Sequence, residues 1–343
     1  MKGCGSMNHL KNVEEKKALM NHQGLAQSAQ EVFKNVFADN TRRAYKADLQ
    51  DFYAYLDYHN ISIDKVTDTT IINYLDCLRR GDLSHNPLAN DHRPRKYSTI
   101  QRRLIAIRFL FKEIAPRQNY YNPASTERLK HWIKGLRKTI GVAQKQKRAA
   151  TKNIVRALLN EIDGNKLIDI RNRAIIAFSY AGAFRRSELA TLNIEDLEFD
   201  NEGVYVTLRR SKTDQEGKGI RKYIYYADQA SFCPVRLVMQ WIKAANITHG
   251  ALFRRISKGG KIGGRISDKA IYDIIRSLAE KAGFDPKEFG GHSLRRGLIT
   301  QLAKDGVEER HIMSHTGHRS VLTVRRYIEE TDVKKKSPTK GIL

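Results

Sequence analysis

Cysteine is scarce in this chain of 343 residues, and its three copies, Cys4, Cys77 and Cys233, lie far apart without a Cys-x-x-Cys pair. This spacing excludes a disulfide framework and a cysteine-based zinc site, and it is typical of a reducing compartment. Long apolar runs are also lacking, since none approaches the ~20 residues that a membrane-spanning helix needs. The first residues, MKGCGSMNHLKN, do not contain the apolar core of a secretory signal peptide, so we expect a cytoplasmic protein.

Acidic residues are the second shortage. Against 62 Lys and Arg there are 37 Asp and Glu, which leaves a formal net charge of +25. This surplus favours a polyanionic partner, because each phosphate that a basic side chain neutralises releases condensed counterions. A basic protein without such a partner is the alternative. The hydrophobic content of 41% is sufficient for sizeable cores, and the length indicates two domains.

The first half of the chain, residues 27–140, is predicted to form a helical domain after a polar, mobile N-terminal segment, residues 1–26. Apolar residues recur there at helical spacing in four stretches. These are Tyr45, Leu49, Phe52, Tyr53 and Leu56; Ile71, Tyr74, Leu75 and Leu78; Ile100, Leu104, Ile107, Phe111 and Ile114; and Leu129, Trp132, Ile133 and Leu136. We expect Thr67-Asp68 to cap the second helix and Ser98 to cap the third.

Basic residues recur on the polar faces of these helices and beside them. Each one alone is an ordinary solvated charge, but their recurrence on successive helices favours a DNA-binding surface. The predicted DNA contacts are Arg43, Lys46, Lys96, Arg102, Lys134 and Arg148. Residues 141–152 lack apolar periodicity and carry charges of one sign, which predicts a flexible linker that follows a phosphate backbone.

The second half, residues 153–330, is predicted to be a mixed α and β domain, followed by a C-terminal tail, residues 331–343. The segments 204–208 and 221–225 have the composition of β-strands, with the polar turn SKTDQEGKG between them. Helices are predicted before and after this hairpin. The glycine-rich loop KGGKIGGR lacks the GKS or GKT ending of a phosphate-binding P-loop, so it does not indicate a nucleotide site.

The stretch 290–327 contains the side chains best suited to chemistry. His292 and Arg295 are three residues apart at the start of a predicted helix, so both can point at one target. An imidazole beside a guanidinium fork suits a phosphate that is held while a proton moves. His318 follows a glycine, and Tyr327 supplies a phenol, which needs nearby cations or a base in order to attack.

Two further motifs lie upstream: Arg185-Arg186-Ser187-Glu188-Leu189 at the end of a buried-looking helix, and Lys212 in the hairpin turn. Together with the stretch 290–327, they resemble the tyrosine recombinases of the phage-integrase family, in a Cre-like and Xer-like layout over about residues 28–330. The first motif of that family is an arginine followed by x-S-E-L. The family usually has an aliphatic residue where Arg186 stands, and the spacing to the S-E-L triplet selects Arg185 as the catalytic arginine.

The resemblance implies a role for each matched position. Arg185 and Arg295 would clamp the attacked phosphate with parallel N–H···O bonds, and His318 would add a further donor. Lys212 would protonate the departing 5′ oxygen.

The remaining matched positions concern the nucleophile and its support. Tyr327 would be the nucleophile, and His292 would accept its proton. Glu188 would orient a neighbouring basic residue without reacting. The product would be a 3′-phosphotyrosine and a free 5′-hydroxyl, so the resemblance implies that neither a metal nor ATP nor another cofactor is needed.

The fold that the resemblance implies is mainly α with a small antiparallel β-sheet. A helical core-binding domain and an α+β catalytic domain would form a C-shaped clamp on duplex DNA. The implied function is that of a site-specific recombinase, associated with the nucleoid, which acts as a homotetramer on two double-stranded recombination sites through a Holliday junction.

Three other functions remain open on the sequence. The first is a type IB topoisomerase-like enzyme that nicks and closes DNA without exchanging partners. The second is a metal-dependent relaxase, although the metal ligands that His311, His315 and His318 suggest have no acidic or cysteine residue among them. The third is a DNA-binding protein of the same fold without catalysis.

Overall fold

The chain forms two compact units, Met1–Gln144 (unit 1) and Lys145–Leu343 (unit 2). The computed structural model describes residues 39–86, 92–114, 121–142, 146–209, 219–318, 320–322, 324–325 and 327. The predicted segment 1–26, Lys212 and the predicted tail 331–343 lie outside these described residues. No helix within the described ranges combines the length and the apolar character that crossing a membrane requires.

Unit 1 is built from helices in its described part, as its apolar periodicity predicts. They are α1 (Asp39–Tyr58), α2 (Asp68–Arg80), α3 (Tyr97–Phe109) and α4 (Glu127–Ile140), with a π-helical turn at Leu110–Ile114 and 3-10 turns at Ile63–Lys65 and Pro123–Ser125. The predicted stripes face one core, which contains Leu49, Phe52, Leu56, Ile71, Tyr74, Leu75, Leu78, Ile100, Leu104, Ile107, Phe111, Leu129 and Leu136. The side chain of Ile114 lies outside the described residues.

The helix caps of unit 1 agree with the sequence at one position and differ at another. Thr67 caps α2, because its hydroxyl accepts from the backbone N–H of Thr70 at 3.3 Å. Ser98 is not a cap: α3 begins at Tyr97, and Lys96 precedes it in extended conformation. The segment before α3 is joined to α2, because the backbone N–H of Arg95 donates to Leu78 O at 2.8 Å.

A buried polar network lies inside the core of unit 1. The carboxylate of Asp51, 6% exposed, accepts from Tyr74 Oη at 2.7 Å and from Asn86 Nδ2 at 2.6 Å. The guanidinium of Arg103 bonds the same carboxylate, and its side chain is only 13% exposed. A buried carboxylate needs such partners, since a charge moved out of water without them is strongly destabilising.

Unit 2 contains the predicted mixture of helices and strands. Its elements are α5 (Lys152–Asn160), α6 (Leu167–Ala181), α7 (Arg186–Thr191), β1 (Leu197–Phe199), β2 (Gly203–Leu208), β3 (Ile220–Tyr225), α8 (Pro234–Ala244), β4 (Arg254–Ile256), β5 (Ile262–Arg265), α9 (Asp268–Lys281), α10 (Ser293–Lys304) and α11 (Glu309–Thr316). Shorter 3-10 turns lie at Ile194–Asp196, Ala230–Phe232 and Pro286–Glu288.

Two small antiparallel sheets lie in unit 2. The first has the order β1-β2-β3, with Leu197 opposite Val206 and Tyr205 opposite Tyr223. It confirms both predicted strands and adds β1. The second sheet pairs β4 with β5, so the glycine-rich segment predicted as a loop is in part a strand. Its sequence hides this, because glycine disfavours strands and every side chain of β5 is exposed, which leaves no alternation to detect.

Helix α6 lies at the centre of unit 2, and α5, α8, α9 and α10 pack against it. Residues 174–178 are buried one after another, so all faces of this part of the helix contact protein. The helix ends in a turn, residues 181–184, which we call the α6 turn. Ala183 has a left-handed backbone there, with φ of 47°, a conformation that is strained for alanine and more usual for glycine.

Part of the predicted linker packs against unit 2. The backbone N–H of Arg148 donates to Glu288 O at 2.7 Å, and that of Ala150 donates to Ser293 O at 2.9 Å. Ala150 is fully buried. A side chain at Gly297 would collide with Ala150 O, at 1.7 Å from an added Cβ. Residues 148–150 therefore belong to the body of unit 2, and the predicted flexibility does not extend to them.

Replacing Asp51 by alanine removes the acceptor that Tyr74, Asn86 and Arg103 share. Breaking a buried ion pair from one side costs about 3–5 kcal/mol, so we expect a loss of that size in the free energy of unfolding of unit 1. Hydrogen exchange of peptides from α1 and α2 at increasing urea concentrations measures this unit separately.

The matched control is Asp76→Ala. Asp76 pairs with Arg79 and Arg80 on α2 at 2.6 and 2.9 Å, with all three side chains substantially exposed. Exposed pairs contribute about 0–1 kcal/mol, so the control should lose little. Equal losses in the two variants would show that Asp51 is not the acceptor on which the core of unit 1 depends.

Candidate active site

Three consecutive backbone carbonyls of the α6 turn, those of residues 181–183, each bind a basic side chain. The contacts are His315 Nε2 to Ala181 O at 2.8 Å, Lys222 Nζ to Gly182 O at 2.7 Å, and Arg295 Nη1 to Ala183 O at 2.7 Å. The last carbonyls of a helix have no partner within the helix, and its dipole favours cations at this end. The α6 turn therefore brings basic groups from β3, α10 and α11 to one place.

Arg185 follows the α6 turn directly and precedes α7. Its backbone N–H donates to Glu188 Oε2 at 2.8 Å, and its guanidinium bonds Glu188 Oε1. Glu188 is 3% exposed, and its Oε2 lies 4.0 Å from Arg295 Nη1. One buried carboxylate thus lies between two guanidinium groups from distant parts of the sequence. The structure places Arg185, Glu188 and Arg295 together.

Arg186 points away from this cluster. Its guanidinium lies over the ring of Tyr272 on α9, at 5.1 Å from the centroid, and near the carboxylate of Asp268. Its side chain also occupies the space beside Gly291, where an added Cβ would lie 2.0 Å from Arg186 Nε. The departure from the aliphatic residue usual in the family is therefore accommodated by α9, and Arg185 is the arginine of this motif that reaches the cluster.

Arg295 is buried, with 3% exposure, and is held from two sides. Besides Ala183 O, its guanidinium donates to Thr316 O at 2.5 Å. Burial, followed by the charge of Arg185, lowers its pKa to about 10, while Glu188 and Tyr327 act in the opposite direction. The group stays protonated at neutral pH, so it is a fixed donor that needs no reorganisation when negative charge develops nearby.

His318 lies beside Arg295, with its Nε2 at 3.3 Å from Arg295 Nη2. Burial first, and then the neighbouring cations, lower the pKa of His318 to about 4, so its ring is neutral at neutral pH. The Thr316 hydroxyl donates to Ile312 O at 2.6 Å. Its oxygen therefore accepts from His318 Nδ1 at 2.6 Å, which leaves Nε2 as an acceptor in the neutral ring.

His292 and Arg295 are not equivalent in the folded chain, although their spacing predicts a shared face. His292 is the N-cap residue of α10 and is exposed, whereas Arg295 is buried. Arg295 is held inside unit 2 by its bonds to the carbonyls of Ala183 and Thr316, whereas His292 lies at the exposed N-terminus of α10. The structure therefore supports Arg295 as a fixed group more directly than it supports His292 as a base.

Tyr327 lies at the edge of a small apolar cluster that contains Ile299, Ile312 and Val324. The guanidinium of Arg296 lies over its ring, at 5.3 Å from the centroid. Its phenol also acts on the pKa of Arg295, which it raises. Tyr327 is thus placed on the Arg295 side of unit 2 in its own chain. Lys212 lies outside the described residues, so its predicted position in the site stays a prediction.

The predicted DNA contacts are exposed. They are Arg43 and Lys46 on α1, Lys96 and Arg102 at α3, Lys134 on α4, and Arg148 in unit 2. Arg102 pairs with Asp48 at 2.8 Å and Arg148 with Glu288 at 3.2 Å. These pairings do not bury the two side chains, which are 48% and 45% exposed, and DNA contact by all six residues stays a prediction.

Two basic residues of the cluster were not identified as site residues from the sequence. Lys222 is 3% exposed and occupies the inward face of β3. The strand alternation contains a signal for it, because Lys222 stands between Ile220 and Ile224 at a position where an apolar residue is expected. The sequence suggests His315 only as a metal ligand, whereas in the structure its ring bonds Ala181 O.

Comparison with known proteins agrees with this arrangement. The sequence pattern of the Phage integrase family matches residues 148–334, and that of the Phage integrase N-terminal SAM-like domain matches residues 33–118. The integrase/recombinase XerD homolog of Selenomonas ruminantium is 34% identical over 315 residues, 91% of this chain and 88% of that protein. Tyrosine recombinase XerD of Oceanobacillus iheyensis is 25% identical over 87% of this chain and 90% of its own.

Solved structures show the same fold. The XerH site-specific recombinase bound to palindromic difH substrate superposes with a TM-score of 0.65 at 18% identity, over 88% of this chain and 79% of that one. The Tn1549 transposon integrase in complex with transposon right end DNA gives 0.57 at 15% identity, over 90% and 98% of the two chains.

The fold and the basic cluster thus define an enzyme of the tyrosine recombinase class, and the chain belongs to the phage integrase family. It is a site-specific DNA recombinase, similar over most of its length to relatives named XerC and XerD.

Arg185→Lys should reduce the rate of single-turnover DNA cleavage by roughly 10²–10³-fold, because lysine cannot supply two parallel donors to a phosphate. Arg186→Leu introduces the residue type usual in the family at a side chain that packs on α9, so we expect a change of less than about tenfold. Quenched-flow cleavage assays on one duplex compare the two variants. The assignment of Arg185 would be wrong if the losses were reversed.

The ring of His318 should remain neutral from neutral pH down to about 5, because its folded pKa is about 4 against about 6.5 in an unfolded chain. Between these pH values the unfolded chain therefore binds a proton that the folded chain does not. The contribution of His318 to the free energy of unfolding is consequently lost as the pH falls from about 6.5 toward 4. Carbon-13 NMR of labelled histidines, assigned with His318→Gln, should show no titration of this ring in that range. Titration near 6.5, as in the urea-unfolded chain, would show that the ring is solvated.

Proposed function

We propose that this recombinase cleaves DNA by in-line attack of Tyr327 on a backbone phosphate held between Arg185 and Arg295, which forms a 3′-phosphotyrosine. The observation that supports it is that both guanidinium groups lie at one buried carboxylate, Arg185 at Glu188 Oε1 and Arg295 at 4.0 Å from Glu188 Oε2. Two like charges are stable there because one buried carboxylate and several carbonyls surround them. A phosphate would supply the further negative charge that this cluster lacks.

The charge balance of the reaction follows from these groups. Attack by the phenolate oxygen breaks the bond from phosphorus to the 5′ oxygen, and the non-bridging oxygens gain negative charge in the transition state. Arg185 and Arg295 are fixed donors to those oxygens. A bound phosphate would also raise the pKa of His318, since it adds negative charge beside the ring, and the protonated ring would then donate through Nε2.

The proton transfers are assigned to two residues. His292, at the open end of α10, accepts the proton of Tyr327, and Lys212 donates a proton to the 5′ oxygen as it leaves. The phosphotyrosine bond preserves the energy of the phosphodiester. Attack by the 5′-hydroxyl of another strand reverses the step, and this exchange yields a Holliday junction. The chemistry of these side chains accounts for each proton without a metal or a nucleotide.

The assembly that we propose is a homotetramer on two recombination sites in the nucleoid. The helical unit and the catalytic unit of each protomer both bind duplex DNA, with the exposed basic residues of unit 1 on the phosphate backbone. The tetramer of lambda integrase bound to a Holliday junction is a solved structure with the same fold. The position of Tyr327 beside α10, with the Arg296 guanidinium 5.3 Å from its ring centroid, supports attack within one protomer.

Tyr327→Phe should reduce covalent adduct formation by roughly 10³-fold or more, because it removes the nucleophile and keeps the ring. The probe is a pool of nicked duplexes cut from the DNA that flanks the gene in its host. Adducts are separated on denaturing gels, and mass spectrometry identifies the DNA-linked peptide. Tyr225→Phe is the matched control, since Tyr225 is 66% exposed on β3 and should leave the adduct unchanged.

Further arms of the same assay test the alternatives. A mixture of Arg295→Lys and Tyr327→Phe chains should remain inactive if attack occurs within one protomer. Adducts that disappear in EDTA would favour a metal-dependent relaxase. Relaxation of supercoiled plasmids without any requirement for a paired site would favour the topoisomerase-like enzyme. Adducts linked through another tyrosine would refute the assignment of Tyr327.

A further inference from the structure

Lys222 occupies a position in β3 where an apolar side chain would be the stable choice. It shares the inward face of the sheet with Ile220 and Ile224, and Val206 of β2 lies opposite. Its side chain is 3% exposed. A charge moved out of water is destabilising unless it is well paired, so packing alone does not account for a lysine here.

The contacts of Lys222 all lie at the α6 turn. Its ammonium donates to Gly182 O at 2.7 Å and lies 5.0 Å from the ring centroid of Phe184. The ring of Phe184 is packed against Gly182 so closely that an added Cβ there would lie 2.1 Å from it. Both the Phe184 ring and the Lys222 ammonium therefore contact the turn at Gly182.

The α6 turn leads directly to both guanidinium groups of the site. Arg185 is the next residue after Phe184, and Ala183 O is the acceptor of Arg295 Nη1. Ala183 also has the left-handed backbone, with φ of 47°, which a non-glycine residue keeps only when its surroundings hold it. A group that fixes Gly182 therefore fixes the position of Arg185 and the acceptor of Arg295 together.

We propose that Lys222 is a positioning residue for cleavage, which ties β3 to the α6 turn and so keeps Arg185 and Arg295 at the separation that a phosphate needs. Lys222 does not touch the reacting atoms in this role. The inference rests on the proposed function, since it assigns a task within the same site. It differs from the task of Lys212, which is to donate a proton to the leaving group.

The charge of Lys222 depends on every basic and acidic group around it. Burial first, and then Arg295 and Arg185, lower its pKa from 10.5 to about 7, while Glu188 raises it. Two histidines also face this charge: His315 in α11 and His318 just after that helix. The charge of Lys222 contributes to lowering the pKa of each of them. The ammonium therefore loses its proton near neutral pH, and the bond to Gly182 O weakens as the pH rises.

The variant Lys222→Met fills the same space without a donor. Misplacement of a catalytic group by about 1 Å costs roughly 10²-fold in rate. We therefore expect the single-turnover cleavage rate of Lys222→Met to fall by about 10- to 100-fold, measured on a duplex that the wild type cleaves. Its DNA affinity should stay within about twofold of the wild type. Arg221→Met is the matched control, since Arg221 is the preceding residue and faces outward, 53% exposed, in a pair with Glu198. Its cleavage rate should remain near that of the wild type.

Stability distinguishes positioning from a purely structural role. The folded pKa of Lys222 is below its unfolded value, so the unfolded chain holds the extra proton between about pH 7 and 10.5 and wild-type stability rises with pH in that window. Lys222→Met lacks this rise. Below pH 7, we expect the free energy of unfolding of Lys222→Met to be at least that of the wild type. At higher pH, the difference between the variant and the wild type should shrink, because the wild type becomes more stable. A structural lysine would instead leave the variant less stable.

Lys222→Arg provides the pH readout, because its guanidinium stays charged throughout. Positioning predicts that wild-type cleavage weakens as pH rises through about 7, and that this decline is absent in Lys222→Arg. If Lys222→Met does not fold, this comparison still decides the question. Suppose that the wild type cleaves the duplex and that Lys222→Met and Lys222→Arg both cleave it at the wild-type rate with the wild-type pH profile. That result would overturn the role of Lys222 and leave the proposed function intact. No adduct from the wild type would overturn both.

Discussion

The carbonyl end of α6 is the constraint on which the catalytic unit depends. A helix that ends inside a protein leaves carbonyls without partners, and buried carbonyls need donors. Here the donors are a histidine, a lysine and an arginine from three other elements, one for each of residues 181–183. The need to satisfy one helix end thus determines where the basic groups of the site lie. The strand β3 and the helices α10 and α11 are joined to α6 through the same bonds.

The site that results is electrostatically incomplete. Two guanidinium groups and a buried ammonium lie around one carboxylate, Glu188. The pKa values of Arg295, Lys222 and His318 are all lowered, first by burial and then by neighbouring cations. Such a cluster is held by the fold at some expense in stability, as functional sites often are. In the proposed mechanism, the phosphate under attack would supply the missing negative charge. The same mutual repulsion that lowers the pKa values therefore favours binding of the proposed substrate.

The two units differ in how they use polar residues. Unit 1 buries a polar network in which the carboxylate of Asp51 accepts from Arg103, Tyr74 and Asn86, and the predicted DNA contacts of this unit are exposed. This arrangement suits a surface that follows a phosphate backbone without chemistry. Unit 2 buries cations that lack a full set of acidic partners among the described residues.

Much of this molecule follows from its sequence, because periodicity and motif spacing are local properties. The helices of unit 1, the strands β2 and β3, and the identities of Arg185, Glu188 and Arg295 as candidates all follow from patterns within a few residues. Only the tertiary structure decided the rest. Four features depend on groups from distant parts of the chain. They are the burial of Lys222, the neutral ring of His318, the packing of Arg186 on α9 and the packing of residues 148–150 on unit 2. Burial and pKa are set by those neighbours, and a sequence pattern does not contain their distances.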